Sequence, residues 1–508
     1  MPKIVLTTIN ARYIHAAFGL RYLMANLGSL QAQAAIIEFD TKQTAEEIVE
    51  KLLALEPAII GFGVYIWNAE LSTEVVSILR RLRPDTILVI GGPEVSYEIE
   101  TQPIAALADY IAPGEADLAF AALCADLLAN RRPATKVLPP GLPELTQLRM
   151  PYRLYDSKDL AQRVVYVEAS RGCPFTCEFC LSSLDIPVRQ FPLPALLGEL
   201  QQLLDRGLNQ FKFVDRTFNL SLKTSQAILE FFLARYRSGM FLHFEMIPDR
   251  LPAPLRATIA KFPPGSLQFE VGIQTFNPAV ATLIQRRQNY EQLADNLTFL
   301  RRETGVHIHA DLIGGLPGES LESFGAGFDR LLALNPQEIQ VGILKRLRGT
   351  PIVRHDAEWQ MAYNSRPPYE VLQTKLISFE EMQRLRRFAR YWDLVGNSGN
   401  FIETTPFLWR ELPSPFRSFL QWSDWLWRQA GRTHGIALNA LAEFLFKFLR
   451  DERQLKPDPI RDALVRDYER AGRSELPDCL RDRLSATRVA HRISRRDLPK
   501  RQARHAAV

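Results

Sequence analysis

The chain has 508 residues, of which 46% are hydrophobic and 23% charged, so it can bury large apolar cores over about three domains. No apolar run reaches the ~18 residues of a membrane span, and the first residues look like a strand rather than a signal peptide. The net charge of +5 is too small to indicate a nucleic-acid partner by itself, and the five cysteines do not form a disulfide framework.

Residues 1–135 alternate short apolar strands with amphipathic helices, which predicts an α/β domain with a doubly wound, Rossmann-like parallel sheet. Helical patterns are clearest at residues 44–55 and 69–82. The predicted strands are residues 3–9, 34–39, 58–64, 86–90 and 109–112. Ligands of such sheets bind at the carboxyl ends of the strands. The glycine-containing segments there are either ligand loops or tight strand–helix turns; they are residues 61–68, 91–94 and 113–115.

Residues 136–160 form a predicted linker, because prolines at residues 139–143 interrupt regular structure. Six strand–helix units then follow within residues 161–350 and predict a partial (β/α)6 barrel of the TIM type. The predicted strands are residues 164–169, 210–214, 242–246, 267–273, 306–313 and 338–344. In such barrels the chemistry takes place at the carboxyl ends of the strands.

Three cysteines, Cys173, Cys177 and Cys180, follow the first barrel strand within one short loop. Clustered thiolates indicate a metal site, because thiolates bind iron and zinc strongly. A closed zinc site needs four ligands, whereas three cysteines can hold an iron–sulfur cube that keeps one iron open for another ligand. The alternative is a zinc knuckle whose fourth ligand is a distant histidine.

This loop resembles the signature of the radical S-adenosylmethionine (SAM) enzymes, which is Cys, three residues, Cys, two residues, Cys. Phe179 stands where the family usually has an aromatic residue before the last cysteine. The resemblance implies a 4Fe–4S cluster whose open iron chelates the methionine part of SAM. Electron transfer then splits SAM into methionine and a 5′-deoxyadenosyl radical.

The resemblance also implies SAM contacts at the ends of the other barrel strands. Asp215 lies in a Phe-x-Asp-x-x-Phe run where the family contacts the SAM amino group, although the more widespread Gly-Gly-Glu is absent. Gln274 follows the fourth strand, and Arg287 or its neighbour Arg286 would neutralise the SAM carboxylate. The remaining expected contacts are Phe179, Glu245, Gly314, Gly315 and Pro317.

The first domain resembles the cobalamin-binding domain that precedes the barrel in cobalamin-dependent radical SAM enzymes. The match lies in the Gly-Gly-Pro after the fourth strand and the Gly-Glu after the fifth. It implies that the nucleotide tail of a corrinoid enters the sheet. The expected contacts are Tyr13, His15, Gly63, Tyr65, Gly91, Gly92, Pro93, Glu94, Gly114 and Glu115.

One departure concerns the cobalt ligand. Many cobalamin domains carry Asp-x-His-x-x-Gly after the first strand, and that histidine binds cobalt. Here Tyr13 replaces the aspartate, and the glycine, Gly19, falls one residue late. We therefore expect His15 to have a structural or pocket-lining role, with the lower ligand of cobalt left open.

Residues 351–480 turn helical, lose strands and are rich in tryptophan, which predicts a mostly α-helical domain with an aromatic core. Residues 345–351, 368–370 and 397–401 resemble an uncharacterised C-terminal extension of one subgroup of cobalamin-type radical SAM proteins. Residues 481–508 form a basic tail without the interleaved aromatic residues that stack on bases. We expect this tail to be solvated and partly disordered.

The sequence thus predicts a cobalamin-dependent radical SAM enzyme that methylates an unactivated carbon. Alternatives within this class are a rearrangement or cyclisation without methyl transfer, and a first domain that has lost its corrinoid. An alternative from another class is a zinc-bearing nucleic-acid-binding protein.

The expected partners are a small-molecule or peptide substrate and a reducing protein such as a flavodoxin or ferredoxin. We expect no membrane and no nucleic-acid partner. Open thiolates and an exposed cluster need a reducing compartment, which predicts the cytosol.

Overall fold

The computed structural model describes residues 1–185, 187–471, 473, 475–483 and 500–505. The chain divides into two compact units. The first comprises Met1–Arg216, Lys345–Val353 and Asn364–Glu370, and the second comprises Thr217–Leu344, Arg354–Tyr363 and Val371–Val508. No helix in the described ranges is both long and apolar enough to cross a membrane.

A parallel sheet of five strands forms the centre of the first unit. Its strands are β1 (Ile4–Asn10), β2 (Ala34–Asp40), β3 (Ile59–Gly63), β4 (Ile87–Gly91) and β5 (Tyr110–Ala112). They lie in the order β2-β1-β3-β4-β5, with every neighbouring pair parallel. The predicted doubly wound sheet is confirmed, and each strand begins and ends within one residue of its predicted bounds.

Helices cover both faces of this sheet. They are α1 (Phe18–Asn26), α2 (Ala45–Leu53), α3 (Ala69–Leu82), α4 (Pro103–Leu107) and α5 (Asp117–Leu128). Helices α1 and α5 pack on one face, while α2, α3 and α4 pack on the other. Helix α2 begins where Thr44 and Glu47 cap each other's backbone N–H groups, and it then buries Ile48, Val49 and Leu52 against the sheet.

The rest of the first unit leads into the cysteine segment. Its elements are α6 (Ser157–Gln162), β6 (Val165–Val167), β7 (Ser170–Arg171), β8 (Arg189–Gln190), α7 (Leu193–Asp205) and β9 (Gln210–Phe213). Strands β6 and β9 pair in parallel, as a barrel requires. Strands β7 and β8 pair antiparallel and close the loop that carries the three cysteines.

The second unit continues the strand–helix alternation with α8 (Leu222–Leu233), β10 (Phe241–Met246), α9 (Ala253–Ile259), β11 (Leu267–Gln274), α10 (Pro278–Leu283), α11 (Tyr290–Glu303), β12 (His307–Gly314), α12 (Leu321–Ala333) and β13 (Glu338–Ile343). Its four strands are parallel in the order β13-β12-β11-β10. All six predicted barrel strands are therefore present, two in the first unit and four in the second.

The C-terminal part of the second unit is mostly helical, as predicted. Its elements are β14 (Ala362–Tyr363), β15 (Val371–Gln373), α13 (Phe379–Leu394), α14 (Pro415–Ala430), α15 (Leu438–Lys447), α16 (Pro457–Arg470) and α17 (Lys500–His505). The expectation that this part lacks strands is wrong, because β14 and β15 form an antiparallel pair. Strands of two and three residues are too short to show an alternating pattern.

The aromatic residues of this part form a core rather than a ligand box, as the sequence predicts. Trp422 and Trp425 are buried, and the Phe419 ring packs edge-to-face on Phe388 and Trp392. Residues 484–499 and 506–508 of the basic tail lie outside the described residues. Residues 500–505 form α17.

Candidate active site

A cavity of about 250 Å³ lies at the carboxyl ends of β3, β4 and β5 in the first unit. Its walls are mostly apolar and include Phe18 and Leu20 of α1, Phe120 of α5 and Ile90 of β4. Pockets that combine apolar walls with a few polar groups bind organic ligands. The volume and the mostly apolar lining of this cavity suit part of an organic ligand.

Glycine backbone forms the edge of the cavity beside the sheet. Gly92 has φ +107°, and a Cβ atom there would lie 2.5 Å from the carbonyl oxygen of Val64. A Cβ atom on Gly61 would lie 2.8 Å from the Phe120 ring. Side chains at these positions would clash, so this is a cradle that glycine alone can form.

Seven of the ten residues predicted to contact a corrinoid line this cavity: Gly63, Tyr65, Gly91, Gly92, Pro93, Gly114 and Glu115. Their loops are far apart in sequence and meet because parallel strands end at one edge of the sheet. The cavity and its glycine cradle fit the nucleotide tail of a corrinoid, and the individual contacts stay predictions. Tyr13, His15 and Glu94 do not line the cavity.

His15 joins the first sheet to the start of β6. Its Nδ1 atom lies 2.7 Å from the Tyr166 hydroxyl, and the backbone N–H of Val164 donates to the Ile14 carbonyl at 2.7 Å. Burial and the nearby cations Lys212, Arg12 and Arg163 lower the pKa of His15. These contacts fit the structural role expected for His15. Tyr13 is 43% exposed.

Glu94 is buried one residue beyond the cavity lining. One of its carboxylate oxygens accepts from Arg348 Nε at 2.9 Å and from the Tyr369 hydroxyl at 2.5 Å. Arg348 also donates to the Tyr369 hydroxyl at 3.0 Å. Burial raises the pKa of Tyr369 to about 12, so its hydroxyl remains a donor at neutral pH. Sequence reasoning assigns no role to Arg348 and Tyr369.

A set of charged side chains lines the polar end of the same cavity. Arg171 donates to Glu115 at 2.8 Å, to Asp117 at 2.8 Å and to Glu168 at 3.0 Å. Its guanidinium also lies 4.5 Å from the centre of the Tyr22 ring. Burial raises the pKa of Glu168 to about 7 although Arg171 opposes the shift.

The cysteine loop begins directly after Arg171. Cys173 and Cys177 are buried and Cys180 is half-buried. The Cys173 N–H donates to the Asp185 carbonyl at 3.0 Å, and Gly172, with φ +89°, packs against the carbonyl oxygens of Asp185 and Pro187. Asp185 and Pro187 thus hold the Cys173 end of the loop closely.

The arrangement of these thiols bears on which metal they can hold. Within the described ranges, no three side chains of His, Cys, Asp or Glu converge on a position suitable for a single metal ion. The four ligands of a closed zinc site bind one ion, whereas the ligands of an iron–sulfur cube bind different irons. Three soft thiolates in one loop fit the cube.

Asp215 is buried at the end of β9. Its carboxylate accepts from the Ala169 N–H at 3.0 and 3.1 Å and from the Ser170 hydroxyl at 2.6 Å. Burial raises its pKa to about 6. These bonds fix the backbone that enters the cysteine loop. The predicted contact of Asp215 with SAM stays a prediction. Phe179 is half-buried within the loop.

Gln274 has the most distinctive geometry among the predicted SAM residues of the second unit. It ends β11 with φ +72°, next to an irregularity in the pairing with β12. Its Oε1 atom is buried and has no hydrogen-bond partner among the described residues. A strained backbone and an orphaned acceptor at a strand end fit a residue that awaits a polar ligand such as SAM.

Other predicted SAM residues have structural surroundings. Arg287 is exposed, whereas its neighbour Arg286 donates to the Gly272 carbonyl. A Cβ atom on Gly314 would lie 2.5 Å from Leu385, and one on Gly315 would lie 2.5 Å from Val371. These glycines are therefore required for packing within the second unit. Glu245 is half-buried opposite Glu270, and Pro317 is buried.

Glu319 follows the same glycine segment and has no role predicted from the sequence. It is 2% exposed and accepts from the Thr275 hydroxyl at 2.8 Å and from the Ser323 hydroxyl at 3.2 Å. Burial raises its pKa to about 7. It connects the end of β11 to the start of α12.

Three family models match the chain. The B12 binding domain matches residues 4–124, and the Radical SAM superfamily matches residues 167–331. A family described as a protein of unknown function (DUF4080) matches residues 357–502. The chain is an enzyme with a B12-binding and a radical SAM domain. The family resemblance and cofactor classes predicted from the sequence are thereby confirmed.

The chain is similar to the cobalamin-dependent radical SAM methyltransferase TokK from Streptomyces tokunonensis. The two are 24% identical over 350 residues, which cover 59% of this chain and 48% of TokK. The chain thus spans less than half the length of TokK and of a second curated relative.

OxsB and TsrM are two of the solved structures that share the fold. OxsB, a cobalamin-dependent SAM radical enzyme solved with aqua-cobalamin and SAM, gives a TM-score of 0.61 at 12% identity, over 92% of this chain and 84% of OxsB. TsrM, a radical SAM methyltransferase from Kitasatospora setae solved with cobalamin and a 4Fe–4S cluster, gives 0.57 at 16% identity, over 72% and 82%. At these identities the likeness concerns the fold alone.

Proposed function

We propose that this enzyme uses a 4Fe–4S cluster to cleave SAM and methylates an unactivated carbon with the help of cobalamin. The observation that carries the proposal is that the first unit contains both an apolar cavity in a B12 binding domain and a loop with three cysteines. The matches to TokK, OxsB and TsrM support it. We propose that the reaction takes place in the cytosol.

The proposed reaction consumes two molecules of SAM and two electrons from an external one-electron reductant such as a flavodoxin or ferredoxin. One SAM is reduced to methionine and a 5′-deoxyadenosyl radical, which takes a hydrogen atom from the substrate carbon and leaves as 5′-deoxyadenosine. The other SAM supplies the methyl group and leaves as S-adenosylhomocysteine. When bound, the cluster supplies electron transfer and the corrinoid supplies methyl transfer.

The residues of the chain bind, orient and exclude water. Cys173, Cys177 and Cys180 would hold the cluster, and Asp215 fixes the backbone that enters their loop. The glycine cradle and apolar walls would hold the corrinoid tail. The buried Gln274 Oε1 atom would accept a hydrogen bond from SAM. The substrate is a small molecule or peptide that this geometry does not identify.

The test is anaerobic reconstitution with iron, sulfide, hydroxocobalamin and a reductant, followed by analysis of products derived from SAM. We expect 5′-deoxyadenosine from the wild type and at least a hundredfold less from Cys177→Ala. Cys479→Ala is the matched control, since Cys479 lies far from the loop in sequence, and it should retain cleavage.

Other outcomes separate the alternatives. In the presence of substrate, 5′-deoxyadenosine without S-adenosylhomocysteine would indicate rearrangement or cyclisation rather than methylation. Failure to bind hydroxocobalamin would indicate a first domain that has lost its corrinoid. Zinc without iron and sulfide in the purified protein would contradict the whole proposal.

A further inference from the structure

In the first unit, Glu115 contacts both the cavity and the segment that carries the cysteines. It lines the cavity at the carboxyl end of β5, and its carboxylate binds two arginines from the cysteine segment. Arg171 donates to its Oε2 atom at 2.8 Å, and Arg189 contacts both of its oxygens.

The two arginines stand at the neck of the cysteine loop. They are register partners across the antiparallel pair of β7 and β8, so the loop leaves at Arg171 and returns at Arg189. Arg189 also bonds to Asp185 at 3.3 Å, and the Asp185 carbonyl accepts from the Cys173 N–H. The neck, the loop backbone and the cavity wall therefore share one hydrogen-bonded network.

This network is largely shielded from water. The exposed fractions of the side chains are 12% for Arg171, 15% for Arg189, 16% for Glu115 and 6% for Asp117. Buried charges need their partners, because an unpaired buried charge is strongly unfavourable. If a ligand in the cavity displaces residues 114–117, then Arg171 and Arg189 must move with them, because otherwise these ion pairs break.

We propose that Arg171 and Arg189, through Glu115 and Asp117, couple occupation of the cavity by a corrinoid to the conformation of the cysteine loop. This inference rests on the proposed function. Coupling between two sites is reciprocal. A bound cluster therefore increases the affinity for the corrinoid, and a bound corrinoid increases the affinity for the cluster by the same factor. Arg171 and Arg189 act here as positioning residues.

The test compares the affinity for hydroxocobalamin in cluster-loaded and cluster-free protein, measured anaerobically by tryptophan fluorescence. We expect the cluster-loaded wild type to bind at least about fivefold more tightly, the lower end of common allosteric couplings. Hydroxocobalamin should also slow the loss of cluster absorbance when an iron chelator is added.

The affinity ratio is the affinity of cluster-loaded protein for hydroxocobalamin divided by that of cluster-free protein. Arg189→Met should reduce this ratio to about one, while the cluster-free variant still binds hydroxocobalamin. Glu115→Gln provides a second variant that keeps the shape of the side chain, and it should also lower the ratio. Arg153→Met is the control, because Arg153 is 75% exposed and contacts α7 rather than the cavity. This variant should keep the wild-type ratio.

Two results would overturn the inference. A wild-type ratio of one shows that two bound cofactors are independent and leaves the proposed function intact. An unchanged ratio in both Arg189→Met and Glu115→Gln shows that any coupling runs through other residues. If neither cluster nor corrinoid binds to the wild type, the inference falls together with the proposed function.

Discussion

Gly92 shows how a single backbone position determines access to the edge of the first sheet. Its φ of +107° and the 2.5 Å approach of a Cβ atom to the Val64 carbonyl make any side chain unfavourable. We expect Gly92→Ala to cost about 1–3 kcal/mol of stability and to weaken hydroxocobalamin binding at least about tenfold. Thermal unfolding and fluorescence titration measure the two effects.

Gly198→Ala is the matched control for this substitution. Gly198 lies within α7, and a Cβ atom there would meet nothing within 4 Å. Alanine favours helix formation over glycine, so this variant should be as stable as the wild type or more so. Equal binding by Gly92→Ala and Gly198→Ala would show that the cradle does not hold the corrinoid.

Glu319 predicts a pH dependence of stability in the second unit. Burial raises its folded pKa to about 7 from an ordinary value of 4.5. Its contribution to stability is therefore fully present below about pH 4.5 and is lost as the pH rises through about 7, amounting to about 3 kcal/mol. The thermal midpoint should fall less between pH 5 and pH 8 in Glu319→Gln than in the wild type.

Glu322→Gln serves as the control for Glu319→Gln, since Glu322 is exposed on the same helix, α12. Its midpoint should follow the wild-type pH dependence. Parallel pH curves for Glu319→Gln and the wild type would show that the Glu319 carboxyl does not titrate in this range.

Residues of the candidate site could be predicted where the sequence carries a local pattern. The three cysteines lie within eight residues of one another, and the Gly-Gly-Pro is a continuous tripeptide. The spacing within each motif can therefore be read directly from the sequence. Arg171 and Glu115 are 56 residues apart, and Arg348 and Glu94 are 254 apart. Only folding brings such pairs together, and single charged residues beside strand ends are too common to identify them.

Two short segments, residues 345–353 and 364–370, lie before and within the region that matches the family of unknown function. They belong to the first unit and supply Arg348 and Tyr369 to the buried Glu94. Tyr369→Phe removes one of the two hydrogen bonds that Glu94 Oε1 accepts. We expect hydroxocobalamin binding to weaken about fivefold, as one lost hydrogen bond implies.

The control for this variant is Tyr236→Phe, which removes a hydroxyl from a half-buried tyrosine of the second unit. It should bind hydroxocobalamin like the wild type. A Tyr369→Phe protein that binds equally well would show that the position of Glu94 does not affect the neighbouring Pro93 and Gly92.

The element α17 has a defined docking site within the second unit. Arg501 donates to the buried Glu338 at 2.9 Å and to the Asn397 carbonyl at 3.0 Å, and Arg504 donates to the Ser398 carbonyl at 2.6 Å. Loss of the Arg501 bonds to Glu338 and Asn397 in Arg501→Ala should destabilise the docking of α17 by about 1 kcal/mol. Amide exchange should then accelerate in α17 and at residues 397–400.

Arg428→Ala is the control for α17 docking, because Arg428 is exposed on α14. It should leave amide exchange at residues 397–400 unchanged. Exchange that is the same in Arg501→Ala as in the wild type would mean that the arginine does not hold α17 in place.

Strands and helices could be predicted where hydrophobic periodicity runs over five or more residues. The strands of the first sheet and the long helices satisfy this condition. The pairs β7–β8 and β14–β15 do not, because each strand has only two or three residues. Their pairing depends on the conformation of the loop between the two strands, and hydrophobic periodicity does not predict that conformation.

At the scale of the whole molecule, the order of the matched regions indicates the chemistry. A B12 binding domain, a radical SAM domain and a region of unknown function follow one another at residues 4–124, 167–331 and 357–502. The fold class could be predicted because each region has its own hydrophobic pattern. The substrate could not, because substrate recognition depends on single side chains around the reacting carbon.

The proposed chemistry depends on three cysteines, Cys173, Cys177 and Cys180, that hold a cluster able to cleave SAM. The most direct measurement is the yield of 5′-deoxyadenosine from anaerobically reconstituted, reduced protein incubated with SAM, in the wild type and in Cys177→Ala. We expect 5′-deoxyadenosine from the wild type and essentially none from the variant. Equal yields from the two proteins, or no product from a fully iron-loaded wild type, would contradict it.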